Sequence, residues 1–185
     1  MQAMLSLSSL IDRSTQAIGR AVAWLVLLAI VISAANAVVR KLFSTSSNAW
    51  LELQWYLFGA AFLLAAADTL RQNGHIRIDI LYARFPRRVR LWIDLLGHLL
   101  FLLPFSGLML AYLLPYVAGS LRSGEMSASA GGLPIWPAKA LLLAGFLLLT
   151  VQGLSEVIKT LAVMRGQRPD PLPEGATAPH GGAGP

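Results

Sequence analysis

The sequence predicts an all-α integral membrane protein: a bundle of four transmembrane helices behind a short N-terminal interfacial helix, with both termini cytoplasmic. Three observations carry this expectation. The 185 residues are 56% hydrophobic and 13% charged, about half the charged share of an ordinary soluble domain. Stretches 21–39, 53–67, 95–121 and 126–138, the last resuming over 140–155 beyond Lys139, contain no Asp, Glu, Lys or Arg. A membrane-crossing helix needs about 20 predominantly apolar residues. Finally, 11 of the lysines and arginines fall in segments that share a side if the N-terminus is cytoplasmic, and 4 on the other, which favours both termini inside.

Residues 1–20 place Leu7, Leu10, Ile11 and Ile18 among Asp12, Arg13, Gln16 and Arg20, the pattern of an amphipathic helix in the membrane interface. The four-helix domain covers 21–164. Its first span, 21–39, is about 28 Å of helix. Ala35-Asn36-Ala37 imitates a signal-peptide cleavage site, but the apolar run is too long and Arg40-Lys41 follow at once. The second span, 50–70, opens on Trp50, Trp55 and Tyr56, aromatic residues suited to the membrane boundary. Six arginines then interrupt the apolar pattern over 71–90, and Phe85-Pro86 marks a turn. The third span covers 91–115 and the fourth 137–161. Residues 165–185 contain five prolines and five glycines from 166 on, a composition expected to remain disordered.

The absence of cysteine excludes disulfide frameworks, thiol nucleophiles and thiolate metal sites. The three histidines, His75, His98 and His180, are too scattered for metal-ligand spacing. The net charge of +6 lies beside apolar spans, where it orients the chain in a membrane instead of binding nucleic acid.

Ionisable residues in spans are the first candidates for chemistry, because hydrocarbon makes them costly. Here they lie near span ends. Asp68 can pair with Arg71 at i, i+3. Asp94 and His98 share a helix face, suiting either a proton relay or an interfacial hydrogen-bonded pair; the absence of a deeper charged group favours the pair. Glu52 and Gln54 lie in the aromatic boundary, where hydrogen bonding between helices or subunits is favoured over ion transport. Asn36, Gln54 and Gln152 each bring an amide into a span. Small residues recur every four positions at Ala29, Ser33 and Ala37, at Ala61, Ala65 and Thr69, and at Gly107 and Ala111, allowing helices to approach closely. The Gly- and Ser-rich loop around Gly131-Gly132 lacks the strand and Lys-Ser/Thr pair of a phosphate cradle and suits a turn or docking surface.

The stretch NAWLELQWYLFGAAFLLAAADTLRQNGHIRIDILYARFP, the loop GEMSASAGGLPIWPAK and the segment LLLTVQGLSEVIK together resemble the small membrane subunit of tripartite ATP-independent periplasmic (TRAP) transporters, over residues 10 to 165. The resemblance implies a non-enzymatic subunit of the bacterial inner membrane, without a cofactor of its own. It would buttress a large multi-span transport subunit, which carries the substrate and sodium-coupling sites, and help dock a periplasmic solute-binding protein. The loop is similar to the branch associated with 2-oxo acids and related organic acids.

On this basis Glu52, Gln54 and Trp55 are expected to contact the large subunit, and Ser123, Glu125 and Ser127 the binding protein. Arg77 and Asp79 are expected to hold the cytoplasmic loop together or anchor it at headgroups. The competing readings are a membrane assembly scaffold and an autonomous four-helix exporter. The exporter would need the mid-membrane polar groups that these spans lack.

Overall fold

The computed structural model describes residues 2–44, 47–73 and 85–169. Four helices contain these residues' regular structure: α1 (Gln2–Phe43), α2 (Asn48–Arg71), α3 (Arg87–Ser123) and α4 (Trp136–Met164). All four are long and apolar enough to cross a membrane. The all-α, four-span architecture expected from the charge-free stretches is therefore present. Arg77, Asp79 and the rest of GHIRIDI lie outside the described residues, as does residue 170 onward in the C-terminal tail.

The helices are not arranged as a closed square. α4 packs against each of the other three, α1 packs extensively on α2, and α3 makes its main packing contacts with α4. The tightest approaches use glycine. A Cβ at Gly145 of α4 would stand 2.8 Å from Leu63 Cβ on α2, and one at Gly153 would stand 2.9 Å from Leu102 Cδ2 on α3. Without a hydrophobic driving force between helices in lipid, such close backbone approach supplies the van der Waals contact that holds them together. Phe105 and Phe146 add an edge-on ring contact between α3 and α4, with centroids 6.0 Å apart.

α1 is one unbroken helix across the expected boundary at residue 20. Its 42 residues make about 63 Å of helix, roughly twice the hydrocarbon thickness. Buried Ser8, Thr15, Val22 and Ala29 recur every seven residues and form its inward seam, while Leu7 and Leu10 point outward. In the first turns the polar side of the amphipathic pattern thus faces a neighbouring helix. Gly19 lets α1 meet Asp68 near the end of α2.

α3 extends the expected 91–115 span at both ends. Residues Gly97–Leu102 form a π-helical segment, closed by a bond from the Leu103 N–H to the His98 carbonyl. The cause is Pro104: a proline has no N–H to give, and its ring crowds the carbonyl four residues earlier, which a locally widened helix relieves. Pro115 lies inside the helix without ending it. α3 stops at Gly124, whose φ of 61° is readily adopted only by glycine and whose N–H caps the Ser120 carbonyl at 3.1 Å. Of the three small-residue stripes, Ala29 and Ala61 are buried in helix contacts. Gly107 meets nothing within 4 Å.

The glycine contacts make a stability prediction. Gly145→Ala should destabilise the bundle by about 1–3 kcal/mol through overpacking against Leu63. Gly107→Ala, entering open space, should be neutral or gain up to about 1 kcal/mol from helix propensity. Thermal unfolding in detergent, followed by circular dichroism, separates the two.

Candidate functional site: polar clusters at the two ends of the bundle

One cluster braces the loop between α3 and α4. Glu52, in the first turns of α2, accepts a hydrogen bond from the Ser127 hydroxyl through Oε1 and one from the Leu133 N–H at 2.7 Å through Oε2. The loop closes on itself around this carboxylate. Ser127 N–H donates to the Leu133 carbonyl at 3.0 Å and Ile135 N–H to the Glu125 carbonyl at 3.1 Å, flanking a single antiparallel bridge between Met126 and Pro134. The Asn48 amide donates to the Ala130 carbonyl and the Tyr56 hydroxyl to the Pro134 carbonyl, both at 3.0 Å. Gly132 is needed where it stands, since a Cβ there would come within 2.8 Å of Glu52 Oε1 and 2.7 Å of Ser127 Cβ.

Glu125 anchors the same loop to the two helices it joins. Its Oε1 accepts from Ser120 Oγ at the end of α3 and from Lys139 Nζ at the start of α4. The Lys139 ammonium also lies 3.8 Å from the centre of the Tyr116 ring. The Lys139 hydrogen bond, followed by that of Ser120, holds the Glu125 carboxyl below the ordinary value of 4.5 against the opposing effect of desolvation.

The second cluster joins α1 to α4 near the other end. Gln152 is fully buried. Its Oε1 accepts from Thr15 Oγ1 at 2.9 Å, and its Nε2 donates to Asp12 Oδ1 at 2.9 Å and Glu156 Oε1 at 2.8 Å. Ser155 Oγ lies 2.7 Å from Ser8 Oγ and donates to Asp12 Oδ1 at 3.1 Å. Lys159 closes the set, donating to Asp12 Oδ2 at 3.0 Å and to Glu156 Oε1 at 2.5 Å. Two carboxylates and one ammonium are thereby tied into one network, with each carboxylate answered by both a cation and an amide.

The structure joins candidates that sequence reasoning had kept apart. Glu52 and Ser127 bind each other. Ser123, exposed, donates to the Ser120 carbonyl at 3.3 Å, beside Glu125. Gln54 is buried on the α1 side of α2 and Trp55 is 72% exposed. Asp68 takes the local pairing that its spacing predicts, with Arg71 Nε at 2.8 Å. Asp94 and His98 are both half-buried.

What sequence reasoning missed is the α1–α4 network. Its signal was present: Gln152, Ser155, Glu156 and Lys159 sit at i, i+3, i+4 and i+7, one helical face, and Ser8, Asp12 and Thr15 make a matching face on α1. Among the described residues no group of three or more His, Asp or Glu is placed to hold a metal ion.

Residues 29–163 match the sequence model of the family described as "Tripartite ATP-independent periplasmic transporters, DctQ component". The chain belongs to the DctQ family. No curated protein and no solved structure matches it. The DctQ chain is thus the small membrane subunit of a TRAP transporter, a transporter component and not an enzyme, as the resemblance implied. The matched range takes in the braced loop and most of the bundle, and stops short of Ser8, Asp12 and Thr15 on α1.

Two predictions follow from the clusters. Lys159→Met leaves Asp12 and Glu156 facing one another and should destabilise the chain by about 2 kcal/mol, below the usual 3–5 for a broken buried pair because Asp12 is partly exposed. Adding Glu156→Gln should recover much of the loss, as read by thermal unfolding in detergent.

Glu125 predicts an acid limit for the loop. Its folded-state value is depressed, so its contribution is complete above the ordinary 4.5 and is lost as pH falls below that point through the folded value. Hydrogen–deuterium exchange over 125–135, corrected for intrinsic rate, should be flat above pH 4.5 and rise below it. Glu125→Gln should reduce that acid step, leaving the part carried by the Glu52 carboxylate that holds Ser127 and the Leu133 N–H.

Proposed function

We propose that this DctQ-family subunit is a static support. It buttresses the large transport subunit in the inner membrane and presents the α3–α4 loop to a periplasmic solute-binding protein, in sodium-coupled uptake of an organic acid of the 2-oxo acid class. Both termini then lie in the cytoplasm, which puts the braced loop outside, in keeping with the 11-to-4 distribution of lysine and arginine.

The observation that carries this reading is the placement of charge. Within the spans 21–39, 50–70, 91–115 and 137–161 the charged residues lie towards the ends, and Glu52, Glu156, Lys139 and Lys159, with Asp12 ahead of the first span, are each held by partners in the same chain. A carrier needs polar groups near the membrane midplane that are free to exchange partners. The centres of these spans have no Asp, Glu, Lys or Arg.

Within this proposal the earlier candidates divide by exposure. Trp55 is the member of the Glu52, Gln54 and Trp55 group most open to the large subunit. Glu52 acts at one remove, by fixing the loop. Ser123 stands on the exposed side of the docking face, with Glu125 and Ser127 setting its shape from beneath. Arg77 and Asp79 are assigned to holding the cytoplasmic loop together or anchoring it at the headgroups.

The test is reconstitution. The chain alone in vesicles should take up no 2-oxo acid, whereas the chain with its large subunit and binding protein should do so in a sodium gradient. Glu52→Ala should leave the loop several-fold more open to protease, because the Leu133 N–H and Ser127 hydroxyl lose their acceptor, and should reduce uptake at limiting binding protein. Uptake by the isolated chain would establish the exporter reading, and failure to co-purify with a large multi-span protein would favour the scaffold.

A further inference from the structure

At the end of the bundle where α1 leads into α2, the two helices part. Ser33, Asn36, Ala37, Arg40 and Lys41 of α1 and Leu51 and Gln54 of α2 line the cleft between them, a cavity of about 520 Å³. On α1 these residues fall at i, i+3, i+4, i+7 and i+8, one continuous face, and prolong the seam that is tightly packed at Val22 and Ala29. Ser33 lies about 10 Å below Arg40 along the helix, so the cleft runs from the charged helix end into the apolar part of the bundle.

The polar groups in this cleft are predominantly donors. Arg40 and Lys41 have no carboxylate partner among the described residues, and no acidic side chain lines the cavity. Gln54 is only 8% exposed, yet its Nε2 has no hydrogen-bond partner. Burying an amide N–H without an acceptor is costly, and a lone unanswered donor beside two cations calls for an oxygen-rich anion. Asn36 and Ser33 add further donors below the cations. Ala37 and Leu51 give the cleft an apolar wall, and the exposed Trp50 and Trp55 lie on the same turns of α2, as aromatic residues do at a membrane boundary.

We propose that this cleft binds the phosphate of an anionic membrane phospholipid, with Arg40 and Lys41 on the phosphate, the amides of Asn36 and Gln54 on headgroup or glycerol oxygens, and the acyl chains descending past Ala37 and Leu51. A free phosphate ion offers the same charge but would leave the apolar length of the cleft unfilled. The lipid fills both parts. This assignment stands apart from the transport proposal, because it depends only on the cleft and the bilayer.

The experiment is native mass spectrometry of the full chain, extracted from membranes with its partner subunit and titrated with phosphatidylglycerol, phosphatidylcholine or inorganic phosphate. Phosphatidylglycerol should bind at least about tenfold more tightly than phosphatidylcholine, and Arg40→Gln/Lys41→Gln should remove about a tenfold advantage. Gln54→Leu should weaken the same adduct with helix content unchanged by circular dichroism, and Arg165→Gln, on the exposed far end of α4, should leave it intact. A photo-crosslinker at position 37 should label lipid. Equal binding of the two lipids, phosphatidylglycerol binding unaltered in Arg40→Gln/Lys41→Gln, displacement by an equal concentration of inorganic phosphate, or crosslinking to the partner subunit in place of lipid would each overturn the proposal.

Discussion

A polar side chain inside an apolar bundle must be answered by another part of the protein, because water is not there to do it and an unanswered group costs more than the bond itself returns. In this chain that constraint falls on α4. Lys139 near its start ties to Glu125 in the preceding loop, and Gln152, Ser155, Glu156 and Lys159 near its end tie to α1. The helix is fixed at both ends by directional contacts. Between them, Gly145 and Gly153 allow the non-directional packing of α2 and α3.

This arrangement accounts for the shape of the bundle. Hydrogen bonds specify register, since Gln152 can meet Thr15, Asp12 and Glu156 together at only one setting of α1 along α4, whereas apolar side chains in lipid slide with little penalty. α1 and α4 are therefore pinned, and α2 is held between them by its close approach at Gly19 and Gly145. α3 meets α4 through Gly153 and the Phe105–Phe146 contact, with the Lys139 ammonium of α4 over the Tyr116 ring near the C-terminal end of α3. A support for a moving partner needs fixed geometry more than exchangeable binding groups, and paired charges at helix ends supply it.

The spans were legible in the sequence because membrane burial writes itself as runs without charge, and no packing detail is needed to read them. Glu52 was legible as an unusual residue but not as a loop brace: its partners Ser127 and the Leu133 N–H lie 75 and 81 residues away, and a backbone donor has no signature in sequence. The α1–α4 network was hidden for a different reason. Asp12 and Thr15 fit an amphipathic pattern equally well with their polar side toward water or toward another helix, and only the matching face of α4 decides between them. The π-helical segment likewise depends on where Pro104 falls within a helix whose start is set by Pro86 and whose continuation past Pro115 is set by its neighbours.

The braced loop shows how the two demands of stability and recognition are met by the same residues. Glu52, Glu125 and Lys139 direct their charges inward, to one another's helices and to the loop backbone, so the surface left outward is built from Ser123, Met126, Ala128 and Ser129. Apart from Arg122 that surface is neutral, and its conformation is set by carboxylates lying beneath it. A neutral, shape-defined face discriminates through fit at close range and contributes little to long-range steering. Recognition by such a face depends on the loop holding one conformation, which is the reason its internal hydrogen bonds bear on function even where the bonded residues touch no partner.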